Sequence, residues 1–210
     1  QLRTAPADTF DPTNQMTMDG TAIAKRVNAV VASAGDYFCY TGRGYILRQG
    51  KLFLDKTTGG RDVLLIDEEG DFHIIRKAGR NACTDVIDGK KIINAFFFGP
   101  VLVEHGELGK EFRYVDMGYL NPSQRMAICQ VEKLHYKLIC CESPQRGSKG
   151  MLLEEFAVFC QSKGVDTAYN LDGGDSTMLI FRGRKVNDIE NPHLRDIADI
   201  VYFASAYTGE

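Results

Sequence analysis

Residues 170–178 gather the groups in this chain best suited to chemistry: Asn170, Asp172, Gly173, Gly174, Asp175, Ser176 and Thr177. An apolar run from Val165 to Leu171 stops at the Asp172 carboxyl, and apolar residues resume only at Met178 to Phe181. That pattern reads as strand, sharp polar turn, strand. Paired glycines let the backbone take positive φ and let a ligand approach closely. Carboxylates, an amide, hydroxyls and backbone N–H groups on one turn could hold a phosphate, a sugar or a metal. The same residue types are ordinary turn formers, and Asp-Gly is a hairpin signal. Spacing alone therefore leaves turn capping and ligand binding both open.

Other chemistries find less support. Ser176 has no Gly-x-Ser-x-Gly context, and no histidine has recognisable triad spacing. His73, His105, His135 and His193 are scattered among polar residues, and only His193, near Arg195, invites a test. Asp172 and Asp175 offer the hard oxygen atoms that Ca²⁺ or Mg²⁺ prefers, without the remaining ligands of a known loop. No cofactor is implied. The six cysteines form no Cys-x-x-Cys pair, which argues against zinc. Cys129, Cys140, Cys141 and Cys160 sit in apolar contexts, where thiols behave as small hydrophobes. The even count keeps disulfides open.

Positioning these groups requires a folded core, and 210 residues suffice for one large domain. The 21 glycines fit a fold with many strands and turns. A formal charge of −3 argues against a nucleic-acid partner, so an anionic substrate would need a local basic cluster. No window approaches the roughly 20 apolar residues of a membrane span. The chain begins at Gln1 without Met, so a leader or anchor is expected to be missing.

Residues 1–19 read as polar and irregular. Thr21–Asn28 reads as a short amphipathic helix capped near Asp19, and Ala29–Ala34 as a buried strand. Tyr45–Arg48 with Lys51–Leu54, and Val63–Asp67 with Asp71–Arg76, flank hairpin turns. Ile92–Phe98, Val101–Glu104, Arg125–Val131 and Tyr136–Cys141 read as further strands. Gly150–Lys163 is the best helix, with Leu152, Leu153, Phe156, Phe159 and Cys160 at helical spacing and Gly164 as its stop. Asp196–Ala206 reads as a closing strand. The expected fold class is α+β: one domain over 1–210, built on a mostly antiparallel or mixed sheet with few helices.

Several segments, in order, resemble the phosphodiester glycosidase family. Asn170–Thr177 resembles its Asn-Leu-Asp-Gly-Gly-x-Ser-Ser/Thr signature. Ala34–Phe38 resembles a strand end of the type Asn-Gly-Asp-Tyr/Phe-Tyr/Phe, and Thr41–Gly50 the Gly-rich hairpin after it. Asn94–Val103 resembles a block ending Gly-Pro-x-Leu-Val. Asn121–Ile128 resembles Pro-x-x-Arg-Thr-Ala-Ile, Gly150–Ala157 a helix start, and Arg195–Phe203 a closing Arg-x-Ile-x-Asp segment. Departures stand out: Ala34 where the family usually has Asn, Leu152 where it has Ser or Thr, Cys129 where it has Gly, and Asp175 at the variable position.

The resemblance implies cleavage between a sugar's anomeric carbon and a phosphodiester oxygen, in envelope or exopolysaccharide glycans, by a secreted or surface-tethered bacterial protein. An arginine fork holds phosphate best. Arg125 and Arg195 are the candidates, with Arg146 and Lys149 behind them. Glycosidases usually use two carboxylates; Asp172 is the first candidate for nucleophile or base and Asp36 the second. Asn170, the Gly173 and Gly174 amides, Asp175, Ser176 and Thr177 would bind the sugar, with Asn94 a weaker candidate. Loss of the amide at Ala34 keeps an inactive glycan-binding domain open, and the two aspartates a metal-dependent phosphodiesterase.

Overall fold

The computed structural model describes residues 2–7, 16–112, 120–142, 148–187 and 195–204. In chain order the elements are β1 (Leu2–Pro6), α1 (Gly20–Arg26), β2 (Ala29–Ala34), α2 (Phe38–Thr41), β3 (Gly44–Arg48), β4 (Lys51–Lys56), β5 (Val63–Asp67), β6 (Phe72–Ile75), β7 (Val86–Ile87), β8 (Lys90–Phe96), β9 (Val101–Glu104), β10 (Glu107–Leu108), β11 (Arg125–Glu132), β12 (His135–Cys141), α3 (Leu153–Gln161), β13 (Thr167–Leu171), β14 (Leu179–Phe181), β15 (Arg184–Lys185) and β16 (Asp199–Ala204).

The strands form three sheets, ordered β1-β16-β2-β14-β15, β10-β9-β13-β11-β12 and β4-β3-β8-β5-β6, with β7 added beside β8. Among the described residues all strand pairings are antiparallel. Of the expected mostly antiparallel or mixed sheet, the antiparallel reading holds, spread over three sheets, and the single domain is predominantly β. Both expected hairpins are present. The N-terminal stretch is not wholly irregular: Leu2–Pro6 pairs with β16, the strand at the other end of the chain.

α1 begins where expected. The Asp19 carboxylate accepts the N–H groups of Thr21 at 2.7 Å and Ala22 at 3.0 Å, satisfying donors the first turn leaves over. It packs Ile23 and Ala24 onto the first sheet with Ala32, Ile180 and Ile200. α3 starts later than its periodicity suggests. Gly150 takes φ +64°, and Met151 exchanges backbone hydrogen bonds with Ser123 at 3.0 and 3.1 Å. The helix then buries Leu153, Phe156, Ala157 and Cys160 against Leu102, Ala127 and Cys129, each large side chain worth roughly 1.5–3 kcal/mol.

A central cluster unites strands of all three sheets: Leu64, Ile66 and Phe96 from one, Val101, Met126, Ile128, Tyr169 and Leu171 from another, Val201 from the first. All six cysteines carry free thiols. No helix among the described residues is long and apolar enough to cross a membrane.

Candidate active site

Register brings the first pair of functional groups together. β11 runs antiparallel to β13 with Met126 opposite Leu171. The next residues outward, Arg125 and Asp172, thus fall side by side at the sheet's end. By the two-residue period of a strand they share a face with Ala127, Cys129 and Ala168, the face α3 covers. The Asp172 N–H donates to Gly35 O at 3.0 Å, tying this tip to the end of β2. A cavity of about 470 Å³ opens there, and Arg125, Asn170, Asp172, Gly173, Gly174 and Arg195 all line it. Tyr37, Thr41, Arg61, Phe98, Asn121, Pro122, Ser123, Leu153 and Leu171 complete its wall.

Asp172 is only 6% exposed. Burial pushes its carboxyl up to about 7, against the pull of the Ser176 hydroxyl and the Arg195 charge and with the help of Asp36 and Asp199. The Ser176 hydroxyl exerts that pull without reaching full hydrogen-bond geometry with any group. Arg125 is 6% exposed; its Nε donates to Met151 O at 3.1 Å and its Nη2 to Asn121 O at 2.9 Å. Burial lowers its pKa without threatening its charge. Arg195 reaches Asp175 at 3.4 Å from the cavity rim. Asn170 is oriented by its Nδ2, which donates to Gly99 O at 2.9 Å.

Other expected site residues stand elsewhere. Asp36 does not line the cavity. Its carboxylate accepts the Phe97 N–H at 2.7 Å and the Tyr37 N–H at 3.0 Å, with Arg48 Nη2 at 3.5 Å. Arg48 Nε also donates to Asp199 Oδ2 at 2.6 Å, and Asp199 Oδ1 accepts the Asp36 N–H at 2.8 Å. These three charges are buried behind the cavity, and burial raises the Asp36 pKa. Asn94 lies outside the cavity lining, accepting from Thr4 Oγ1 at 2.7 Å and the Gln49 N–H at 3.1 Å.

The expected sharp polar turn takes the form of a 3-10 turn at Gly174–Ser176. Its winding points Ser176 and Thr177 inward, both fully buried, and commits the Gly174 N–H to Gln124 O at 3.1 Å. Asp175 faces Arg195, and no cluster of three or more His, Cys, Asp or Glu that could hold a metal is present among the described residues. Lys149 is exposed and outside the cavity lining. Arg146 and His193 lie outside the described residues. Ala34 is buried in the apolar cluster of the first sheet, away from the cavity wall. Sequence reasoning missed Arg61, Tyr37, Thr41 and Phe98 as cavity residues, and Arg48 and Asp199 as the charges behind it. Tyr37, Thr41, Arg48, Phe98 and Asp199 all fell within segments that carried the family likeness.

The family model for phosphodiester glycosidases matches residues 25–204. The chain belongs to the phosphodiester glycosidase family. Among solved structures, this chain resembles the catalytic domain of zebrafish N-acetylglucosamine-1-phosphodiester alpha-N-acetylglucosaminidase, auto-inhibited there by its pro-peptide. The TM-score is 0.73 at 18% identity, over 97% of this chain and 73% of that one. A hypothetical protein from Synechocystis gives 0.70 at 14% identity, over 96% and 56% of the two chains. The SPbeta prophage-derived uncharacterized protein YomE of Bacillus subtilis strain 168 is 24% identical over 197 residues, 90% of this chain. The chain spans only 30% of that relative's length. The likeness to the two solved structures is one of fold.

Proposed function

We propose that this protein hydrolyses a sugar 1-phosphodiester at the bond between the anomeric carbon and the phosphate oxygen. The observation that carries the reading is Asp172, a buried carboxyl pushed up to about 7 that lines the same cavity as Arg125 and Arg195. Arg125 and Arg195 hold the phosphodiester anion; their forks favour it over a neutral ester. Asp172, deprotonated, takes a proton from a water that attacks the anomeric carbon, or attacks that carbon itself, and water then hydrolyses the resulting glycosyl ester to free sugar and carboxylate. The C1–O bond breaks and its electron pair stays with the phosphate, which departs as a monoester carrying the alcohol. A phosphate is a good leaving group, so one carboxyl in the cavity suffices where glycosidases usually need two. Burial keeps the Asp172 pKa up, and Asp36 and Asp199 add smaller contributions.

The sugar lies over Asn170 and the Gly173–Gly174 backbone. The natural substrate as an envelope or exopolysaccharide glycan, and a location outside the cytoplasm, belong to this proposal. They follow from the family's chemistry and are tested by fractionation and by digestion of purified glycans.

The deciding experiment is release of free sugar from an N-acetylglucosamine 1-phosphodiester in ¹⁸O-labelled water. Label in the sugar supports C–O cleavage. Label in the phosphate would replace this reading by a phosphodiesterase. Saturable binding of phosphoglycans without turnover, across several sugars and with added divalent metal, would replace it by a binding domain.

A further inference from the structure

A second cavity of about 520 Å³ adjoins the first. Leu108, Gly109, Lys110, Glu111, Phe112, Leu120, Leu152, Leu153 and Glu154 line it. The two cavities share Leu153, and Leu120 of one is followed directly by Asn121 of the other. Arg125 sits at this neck. Its guanidinium donates to the carbonyls of Asn121 and Met151, the immediate chain neighbours of Leu120 and Leu152. A phosphate on Arg125 would have the sugar on its Asp172 side and its second ester oxygen facing the second cavity.

Leu108, Phe112, Leu120, Leu152 and Leu153 form an apolar wall in this lining, beside the charged Lys110, Glu111 and Glu154, and that wall comes at a local cost. Leu120 is 73% exposed and Leu108 37%. Leu152 occupies the N-cap of α3, where a Ser or Thr side chain would accept a helix N–H. Leucine cannot accept, so half a capping box remains: the Leu152 N–H donates to Glu155 Oε2 at 2.8 Å. The sequence gives up a cap and gains an apolar wall. The charges at the rim oppose a polyanion: Lys110 stands beside two carboxylates, and Glu111 is held by Lys77 at 2.9 Å.

We propose that the second cavity binds the alcohol half of the phosphodiester, and that this alcohol is an apolar chain rather than a sugar or a further phosphate unit. The proposal rests on the reaction assigned above and names the substrate's other end. An alkyl chain would cover Leu108, Phe112, Leu120 and Leu152, removing their surface from water.

Turnover of the methyl and octyl phosphodiesters of N-acetylglucosamine 1-phosphate tests it. The octyl ester should show a kcat/KM on the order of 10-fold higher or more. Leu152→Thr restores a cap residue, so the variant should fold at least as well, yet its octyl-to-methyl ratio should fall several-fold toward one. Leu120→Ser should act in the same direction. Calorimetry with octyl phosphate and methyl phosphate reads the cavity without turnover, and octyl phosphate should bind on the order of 10-fold tighter. Equal turnover of both esters, or equal binding of both phosphates, overturns the apolar cavity. Tighter octyl phosphate binding without turnover of either ester overturns the reaction and leaves the cavity standing.

Discussion

The Asp172 carboxyl has a folded pKa near 7 against an ordinary value of 3.8. The folded protein therefore binds that proton more tightly than the unfolded chain does. Stability from it is complete below the ordinary value and is lost as pH rises through about 7. Asp172→Asn keeps the neutral shape and escapes this loss. We expect the variant to melt higher than the native protein at pH 8.5, with the gap shrinking toward pH 5, while turnover falls on the order of 10³-fold. Thermal melts at both pH values check the first part; an unchanged gap would remove the titration from the argument. Because the deprotonated form acts, native kcat/KM should rise between pH 6 and 8 and then level off. Arg125→Lys should chiefly raise KM, by about tenfold, since an ammonium cannot reproduce the fork that spans two carbonyls and an anion. A large fall in kcat at unchanged KM would contradict that.

At the scale of elements, local signals were legible where a short stretch decides its own structure. Both hairpins showed in their turn residues, and Asp19 announced α1. A short element whose partner lies far along the chain was not legible. Leu2–Pro6 is short and partly polar and becomes a strand only because β16 offers it an edge. The helical spacing of Leu152 and Leu153 extended α3 too far back, because Gly150 and Met151 are captured by Ser123. The inward turn of Ser176 and Thr177 was hidden for the same reason, since it follows from the Gly174 bond to Gln124. Gly150 makes the case testable. A Cβ there would meet Ser123 N at 2.8 Å, at a φ of +64°. Gly150→Ala should cost about 1–3 kcal/mol in urea denaturation and loosen the Met151 carbonyl that orients Arg125. An unchanged midpoint would show that this junction tolerates a side chain.

Across the whole molecule, one cation joins two sheets. Arg48 ends β3, and its bonds reach Asp199 of β16 and Asp36 beyond β2. Its guanidinium also lies 4.3 Å from the centroid of the Phe96 ring. Removing one partner of such a group strands buried charge, so Arg48→Met should cost about 3–5 kcal/mol in the same assay. A small loss would mean the sheets are held by the apolar centre alone. No local pattern reveals this clamp, because its members stand at positions 36, 48 and 199, each in a separate segment of the family likeness. It also explains why Asp36, which reads as a cavity acid from its turn, lies behind the wall.

The free thiols of Cys39, Cys83, Cys129, Cys140, Cys141 and Cys160 carry a practical corollary. Burial lifts the thiols of Cys39 and Cys83 to about 12, far from the thiolate that alkylating agents and oxidants attack. Dithiothreitol should leave the protein's melting point where it was, and iodoacetamide should label Cys39 and Cys83 only after the chain opens.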